Sequence, residues 1–164
     1  MATVYIGLGS NLGHSEANLE QAMRLFAPEF RIKKTSPMYE TDKLYRPGKP
    51  RCLNICCRVE TDCTPEQAFE KCQMIERAMG RRKPTKDAPR VIDVDLLLYD
   101  SVVLRTSKLT IPHPRMHERA FVLVPLARIA GKVIHPGLRK SINALVDDLG
   151  DYSHKIVKVS DSIG

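Results

Sequence analysis

The order in which strand and helix patterns follow one another constrains the fold of this chain more than any other feature. Strand patterns cover Thr3–Leu8, about Phe30–Tyr39, Leu53–Val59 and Val91–Tyr99. Helix patterns follow the first and third strands, whereas the second and third strands follow each other without a helix. Strands joined directly, with helices between the others, are typical of a sheet covered by helices in an α+β fold. The order β-α-β-β-α-β therefore predicts an α+β fold with a mostly antiparallel sheet.

Local signals mark the ends of both early helices. Ser15 is suited to cap a first helix whose apolar residues recur at helical spacing up to Phe26. The second helix has a stronger signature, because Thr64 and Gln67 have the spacing of a capping box and Pro65 occupies the first helical position. Gly80 is placed to end this helix.

Additional elements follow the four main strands. Two short extended segments are predicted at Val102–Leu104 and Leu109–Ile111. Arg115–Ala130 has a helical pattern that we expect to be broken or kinked at Pro125. Ser141 is placed to cap a last helix that ends near Gly150.

Length and composition favour a single globular domain. The 164 residues are 43% hydrophobic and 27% charged, so we expect one domain over residues 1–164 with a tail from about residue 151. The longest apolar run, Ala120–Ala127, is far shorter than the roughly 20 residues that a membrane span needs. The first residues have no basic segment of a signal peptide, and five cysteines, an odd number, favour reduced thiols. We therefore expect a cytoplasmic protein that does not interact with membranes.

The charge balance narrows the class of partner. Lys and Arg outnumber Asp and Glu by 26 to 19, a net charge of +7, which favours anionic partners such as nucleotides, phosphorylated metabolites or nucleic acid. Five of the basic residues lie between Arg81 and Arg90, with Asp87 as the one acidic residue among them. A solvated loop and a phosphate-binding loop are both consistent with this stretch.

Two carboxylates lie two residues apart in the last main strand pattern. Because side chains alternate along a strand, Asp93 and Asp95 point to the same face, with Cα atoms about 6.5–7 Å apart. Like charges on one sheet face repel each other unless a cation lies between them. Carboxylate oxygens beside a basic stretch are typical of Mg²⁺-dependent phosphoryl transfer. The simpler alternative, a solvent-facing pair on an edge strand, is disfavoured by the apolar residues on both sides.

Other sites are less well supported. Nothing reads as a Walker motif, and Leu12 stands where the third glycine of a dinucleotide-binding motif is required, so we expect the early glycines to form a turn. His113 and His117 are four residues apart, but prolines flank His113 and no third metal ligand is near, which disfavours a zinc site. Cys57 and Cys72 fall on apolar faces and are predicted to be core residues.

Several segments together carry a resemblance to a known enzyme family. These are Tyr5–Gly13, Pro89–Leu96 and Ile111–Met116, with Arg119 and Phe121 close behind the last of them. In this order and spacing, from about residue 3 to residue 150, they resemble 6-hydroxymethyl-7,8-dihydropterin pyrophosphokinase of folate biosynthesis. The resemblance implies a ferredoxin-like βαββαβ core with extra strands and helices, and a protein that is a monomer.

The resemblance also implies roles for individual residues on the nucleotide side. Asp93 and Asp95 are expected to hold two Mg²⁺ ions that bridge the phosphates of ATP. Arg81 and Arg90 match arginines that contact the triphosphate and the transferred group, and are expected with the aspartates to be catalytic. Other expected ATP-binding residues are Gln73, Glu76, Lys83, Lys86, Lys108, Thr110, His113 and Arg119.

The second expected substrate is 6-hydroxymethyl-7,8-dihydropterin. Asn54 matches a side chain that binds the edge of the pterin ring, and Phe121 matches an aromatic residue that stacks on it. The remaining expected pterin-binding residues are Thr41, Asp42, Leu44 and Cys52. The implied reaction transfers pyrophosphate from ATP to the hydroxymethyl oxygen and releases AMP.

Two alternatives remain open from the residues. Cys52 stands where the family usually has an aromatic residue, and Asp42 and Tyr45 also depart from its pattern, so the same fold could act on a changed substrate. A basic RNA-binding module on a ferredoxin-like scaffold is the alternative from another class. It would need exposed aromatic residues on the sheet and leaves the paired aspartates unexplained, so we expect no nucleic-acid partner.

Overall fold

The computed structural model describes residues 1–41, 52–80, 91–152 and 156–160. The strands are β1 (Ala2–Ser10), β2 (Arg31–Thr35), β3 (Met38–Thr41), β4 (Leu53–Thr61), β5 (Asp93–Tyr99), β6 (Leu104–Arg105), β7 (Thr110–Ile111), β8 (Ile134–His135), β9 (Lys140–Ser141) and β10 (Ile156–Ser160). The helices are α1 (Ser15–Arg24), α2 (Pro65–Ala78), α3 (Ala120–Ala130) and α4 (Ile142–Asp148), and a 3₁₀ turn covers Met116–Glu118.

Within the described residues, six strands form one antiparallel sheet. Its order is β10-β3-β4-β1-β5, and β2 pairs with β4 beside β3. Counted from the β5 edge, the order is β5, β1, β4 and then β3, with β2 beside β3 at the same position. This is the strand order of a ferredoxin-like fold. The predicted α+β fold with a ferredoxin-like core and a mostly antiparallel sheet is therefore confirmed.

Helices cover both faces of this sheet. On one face, apolar side chains of β1, β4 and β5 pack against α1 and α2 in the larger core cluster. On the other face, Tyr5, Cys56 and Leu97 pack against α3 and α4 in a second cluster. The strands alternate between the two clusters because successive side chains point to opposite faces. Asp93 and Asp95 alternate with Val94 and Leu96 of the first cluster and so lie on the α3 face.

Strand β1 is longer than the sequence predicted. We expected Gly7 and Gly9 to break the strand, but β1 continues to Ser10 and pairs over this length with β4. A glycine weakens a strand only when nothing else supports it, and here two neighbouring strands supply the hydrogen bonds. The turn occurs later, at Gly13, whose φ of 72° favours glycine.

The second predicted strand is divided in two. β2 and β3 are separated by Ser36 and Pro37, and both pair with β4. Pro37 has no N–H to donate to the sheet. The Ser36 hydroxyl instead accepts a hydrogen bond from the Cys56 backbone N–H at 2.9 Å, which keeps β4 connected across the break.

The capping predictions have different outcomes. Thr64 and Gln67 form the predicted capping box at the start of α2, and Ser141 caps α4 by accepting from the Ala144 N–H at 3.0 Å. Ser15 does not cap α1, because it is already the first helical residue. The break expected at Pro125 is also misplaced, because α3 continues through this residue and the interruption falls at Arg119, whose backbone is extended.

Three strands lie outside every predicted element. β8 and β9 form a small hairpin before α4, and β10 pairs with β3 at the end of the sheet. β10 belongs to the segment that the sequence indicated only as a tail. Ile156 at its start is 6% exposed and packs with Tyr39 and Val124, so this part of the tail is a component of the core.

Two of the five cysteines were predicted to be core residues. All five cysteines lie in the described part of the chain, and none of them forms a disulfide. Cys57 and Cys72 are buried as predicted, and burial raises the pKa of the Cys57 thiol to about 12. Among the described residues, the helices are all too short or too polar to cross a bilayer.

Candidate active site

The two aspartates of β5 lie opposite two glycines of the neighbouring strand β1. In the register of β1 and β5, Asp95 is opposite Gly7 and Asp93 is opposite Gly9. Both carboxylates are half-buried, and both lie on the same face of the strand, as the alternation predicted. The space over these glycines is shared by neighbouring side chains, because the Asn54 Oδ1 atom approaches Gly9 and the Leu97 side chain approaches Gly7.

Glu76 supports the strand between the two aspartates. Its Oε1 atom accepts a hydrogen bond from the backbone N–H of Val94 at 2.8 Å, which joins α2 to β5. Val94 lies between Asp93 and Asp95 in the chain. The contact therefore fixes the position of this part of β5, and with it both aspartates, relative to α2.

A cavity of about 240 Å³ opens along β5. Asp95, Lys108, Thr110 and His113, which the sequence predicted as nucleotide-side residues, are all among its lining residues. They come from β5, from the turn before β7, from β7 itself and from the segment after β7. A carboxylate, an ammonium group, a hydroxyl and an imidazole thus face one space.

His113 is held as a neutral imidazole. Burial, with smaller contributions from Arg119 and Arg115, lowers its pKa from the usual value to about 4. Its Nδ1 atom accepts a hydrogen bond from the Arg115 backbone N–H at 3.2 Å. The proton of the neutral ring is consequently on Nε2, which can donate to an acceptor in the cavity.

A second group of predicted residues lies further across the sheet. Asn54 lies on β4, opposite Gly9 of β1, and is 6% exposed. Its Nδ2 atom contacts the Cys52 sulfur at 3.7 Å, and the Cys52 carbonyl accepts a hydrogen bond from the Thr41 N–H at 3.0 Å. The structure therefore brings together Thr41, Cys52 and Asn54, three of the residues predicted for the pterin.

Arg119 and Phe121 contact each other at the start of α3. The Arg119 guanidinium carbon is 5.5 Å from the centre of the Phe121 ring, within the range of a cation–π contact. Phe121 is half-buried at the start of α3 and packs against the clusters that contain Cys56 and Tyr39. A residue predicted for the nucleotide and one predicted for the pterin are thus in direct contact.

The remaining predicted residues have different positions. Gln73 is exposed on α2, three residues before Glu76. Six predicted residues lie outside the described residues: Arg81, Lys83, Lys86, Arg90, Asp42 and Leu44.

Some residues at the site were not predicted from the sequence. Phe69 and Thr106 also line the cavity, and Thr106 closes the turn before β7 by accepting from the Leu109 N–H at 3.0 Å. The Ser10 hydroxyl donates to the Val91 carbonyl at 2.5 Å, two residues before Asp93. The spacing of Thr106 and Leu109 indicates a turn but not a binding site. No pattern in the sequence links Ser10 to Val91, so these contacts could not be predicted.

The donor set is compatible with Mg²⁺. Two half-buried carboxylates on one face of β5 match an ion that binds through one or two carboxylates and completes its shell with substrate oxygens. Among the described residues, no group of three or more His, Cys, Asp or Glu side chains could hold a metal on its own.

A carboxylate, a lysine, a hydroxyl and a neutral imidazole around one cavity are groups of the class that binds phosphate-bearing substrates. Comparison with known proteins gives the family. The family model for 7,8-dihydro-6-hydroxymethylpterin-pyrophosphokinase matches residues 5–131. The chain belongs to this family, which confirms the family indicated by the sequence motifs.

The chain is similar both to much longer proteins and to proteins of about its own length. A folic acid synthesis protein of Pneumocystis carinii is 37% identical over 155 residues, which are 94% of this chain and 21% of that protein. The 2-amino-4-hydroxy-6-hydroxymethyldihydropteridine pyrophosphokinase of Haemophilus influenzae is 33% identical over 162 residues, 98% of this chain and 99% of the relative. The chain therefore spans about a fifth of the first protein and nearly all of the second.

Solved structures agree on the fold. A Plasmodium falciparum HPPK-DHPS structure superposes with a TM-score of 0.73 and 16% identity, covering 93% of this chain and 45% of that chain. At this identity, the likeness concerns the fold alone.

The RNA-binding alternative is not favoured. It would need exposed aromatic residues on the sheet, but Tyr5 and Tyr39 are buried against the helices of the α3 face. The family match also points away from it.

Proposed function

We propose that this chain transfers pyrophosphate from ATP to the hydroxymethyl group of 6-hydroxymethyl-7,8-dihydropterin, in the synthesis of folate. The hydroxymethyl oxygen attacks the β-phosphorus, and the bond from that phosphorus to the oxygen bridging to the α-phosphorus breaks. AMP leaves with this oxygen, and the hydroxyl proton is released. Family membership and the cavity beside β5 support the proposal.

The nucleotide binds in the cavity beside β5. Lys108 and Arg119 supply positive charge for the phosphates, and Thr110 supplies a hydroxyl for hydrogen bonding. Because His113 is neutral with its proton on Nε2, it acts as a hydrogen-bond donor to the nucleotide and not as a cation. Gln73 and Glu76 are the predicted residues on the α2 side, where Glu76 also holds β5 in place.

Asp93 and Asp95 are the residues that would hold Mg²⁺. Bound with ATP, Mg²⁺ would balance phosphate charge and make the β-phosphorus more susceptible to attack. Two ions are proposed, because ATP carries about four negative charges that two divalent ions balance. By holding Mg²⁺, the two aspartates would set where this positive charge lies on the sheet and so orient the polyphosphate.

The pterin binds at the subsite formed by Thr41, Cys52 and Asn54. The Asn54 amide presents both a donor and an acceptor, which suits the alternating groups on the edge of a pterin ring. Phe121 packs against a face of the ring. Cys52 contributes a small polarizable surface where a larger aromatic residue would stack, so Phe121 carries more of the ring contact here.

Four basic residues complete the predicted site. Arg81 and Arg90 are proposed to stabilise the charge that develops on the transferred group, and Lys83 and Lys86 to attract the triphosphate. Planar guanidinium groups suit this task because they bind phosphate oxygens in pairs. Asp42 and Leu44 are proposed to contact the pterin through their backbone groups. The chain is further proposed to act as a monomer in the cytoplasm, without a nucleic-acid partner.

One observation carries the proposal: the cavity beside β5 collects Asp95, Lys108, Thr110 and His113, while Asn54 lies two strands away on the same sheet. The test is phosphorus NMR of the protein with MgATP and 6-hydroxymethyl-7,8-dihydropterin. We expect AMP and a new diphosphate ester to appear together, in equal amounts.

Controls separate the possible failures of this experiment. An Asp95→Ala variant and a reaction without Mg²⁺ should both leave ATP unchanged. If the wild-type protein binds MgATP but forms no ester, the pterin is not its substrate and the changed-substrate alternative gains support. If ADP or inorganic phosphate forms in place of AMP, the proposed position of attack is wrong.

A further inference from the structure

Gly9 occupies the position between the two halves of the proposed site. In the register of the sheet it is opposite Asn54 on β4 and opposite Asp93 on β5. Neighbouring strands are about 4.8 Å apart, so the backbones of Asn54 and Asp93 are separated by about 10 Å with Gly9 midway. A ligand that reaches from the amide to the carboxylate must pass over Gly9.

The Asn54 side chain uses the space that Gly9 leaves. A Cβ atom added at Gly9 would lie 2.9 Å from Asn54 Oδ1, a distance that real Cβ atoms do not tolerate. The amide therefore leans over β1, toward the strand that carries Asp93. Its other neighbours, including the Cys52 sulfur at 3.7 Å from Nδ2, hold it there, and the residue is 6% exposed.

Gly7, two residues earlier on the same strand, has different surroundings. It is opposite Cys56 and Asp95, and a Cβ added there would first meet the Leu97 side chain at 3.4 Å, an ordinary contact. The close approach of a side-chain amide is therefore specific to Gly9. Alanine at Gly7 is a matched substitution on the same strand and the same face.

We propose that Gly9 is a positioning residue for pterin recognition, because the absence of its side chain sets the Asn54 amide at the height and direction needed to bind the ring edge beside Asp93. The inference rests on the proposed function. It assigns Gly9 an effect on the substrate that is separate from any effect on the strand, whose backbone hydrogen bonds alanine would keep.

The test compares Gly9→Ala with Gly7→Ala in the full chain. Dissociation constants for MgATP and for 6-hydroxymethyl-7,8-dihydropterin are measured by calorimetry. We expect Gly9→Ala to raise the pterin dissociation constant about tenfold or more and to change that for MgATP less than about twofold. Gly7→Ala should change both constants less than about threefold.

A double-mutant cycle with Asn54→Ala tests whether Gly9 acts through the amide. Once the amide is removed, adding Gly9→Ala should weaken pterin binding no further, to within about twofold. An undiminished loss in the Asn54→Ala background would contradict the inference. If Gly9→Ala does not fold, the double variant must fold and bind MgATP as Asn54→Ala does, because the clash is gone; a double variant that remains unfolded would also contradict it.

The experiment distinguishes this inference from the proposed function. A wild-type chain that binds MgATP but no pterin would overturn both. A wild-type chain that binds both ligands, with a Gly9→Ala variant that binds the pterin as tightly as the wild type does, would overturn the role of Gly9 alone.

Discussion

Single residues of the candidate site depend on neighbours that fix their charge and direction. Asp93 and Asp95 are held by the backbone contact of Glu76 with Val94, and His113 is held neutral by its burial and by two nearby arginines. The sequence predicted the aspartates from their spacing alone. It contained no signal for the protonation of His113, since the pKa depends on groups that only the folded chain brings together.

Replacement of Asp95 tests the metal assignment. Asp95→Ala removes one of two carboxylates on the α3 face of β5, so we expect turnover to fall by about 10²-fold or more. The residue is half-buried at the edge of a cavity, so the fold should be retained. Steady-state kinetics over a Mg²⁺ titration and far-ultraviolet circular dichroism make the comparison.

Asp148→Ala is the matched control for this variant. Asp148 pairs with Lys140 at 2.8 Å on the exposed side of α4, and such surface pairs contribute little. Its activity should equal that of the wild type. Full activity of Asp95→Ala with an unchanged Mg²⁺ dependence would show that this carboxylate holds no metal.

His113 makes stability depend on pH. Its pKa is lowered to about 4 in the folded protein from an ordinary 6.5, so between these values the unfolded chain binds a proton that the folded chain does not. The contribution of His113 is therefore absent above about pH 6.5 and increasingly destabilising as the pH falls toward about 4. His113→Asn should reduce the loss of stability between pH 7 and pH 4.5.

Urea unfolding at several pH values measures this effect. The relevant quantity is the difference in unfolding free energy between His113→Asn and the wild type, which should become more favourable to the variant as the pH falls. A constant difference across this range would mean that His113 titrates alike in the folded and unfolded chains.

Elements are defined by local sequence where capping signals are complete, and by their neighbours elsewhere. The capping box of α2 was predicted correctly because its residues are three positions apart and need no distant partner. The end of β1 and the division between β2 and β3 were not, because both depend on pairing with β4. The interruption at Arg119 likewise separates two short helical segments that one continuous apolar pattern had joined.

The cap of α2 provides a prediction at this scale. Thr64→Ala removes the hydroxyl that accepts from the Gln67 N–H, at 3.2 Å, so the free energy of unfolding should fall by about 1 kcal/mol. Activity should be unchanged, because Glu76 lies near the other end of the helix. Thr64→Ser keeps the hydroxyl, so its free energy of unfolding, measured with urea, should be close to that of the wild type. If Thr64→Ser and Thr64→Ala lose the same free energy, the effect comes from the methyl group and not from the cap.

A strand near the end of the described chain forms one edge of the main sheet. β10 completes the sheet next to β3, whose other neighbour, β4, carries Asn54. Ile156 packs at the junction of β10 with Tyr39 and α3. The segment that composition indicated as a tail thus supports the strand beside the proposed pterin subsite.

Ile156→Ala should therefore destabilise the whole molecule. Removal of a side chain that is 6% exposed is expected to cost about 2–3 kcal/mol in thermal or urea unfolding. Val157→Ala, at a position that is 48% exposed on the same strand, should cost less than about 0.5 kcal/mol. If the two substitutions have equal effects, β10 does not pack on the core in solution.

The sequence by itself determined the features that depend on residues near one another in the chain. Side-chain alternation placed Asp93 and Asp95 on one face, the capping box located α2, and the order of elements predicted the α+β fold. The motifs also indicated the family. These features depend on the periodicity of strands and helices, which is a local property of the backbone.

Only the tertiary structure decided how the distant segments meet. It showed that Gly9 lies between Asn54 and Asp93, that Arg119 contacts Phe121, and that Ile156 enters the core. Strand register and helix packing set these contacts, and both result from the burial of apolar surface shared by elements far apart in the chain. No local pattern carries that information, because the same residues would fit several registers until the two faces of the sheet are covered.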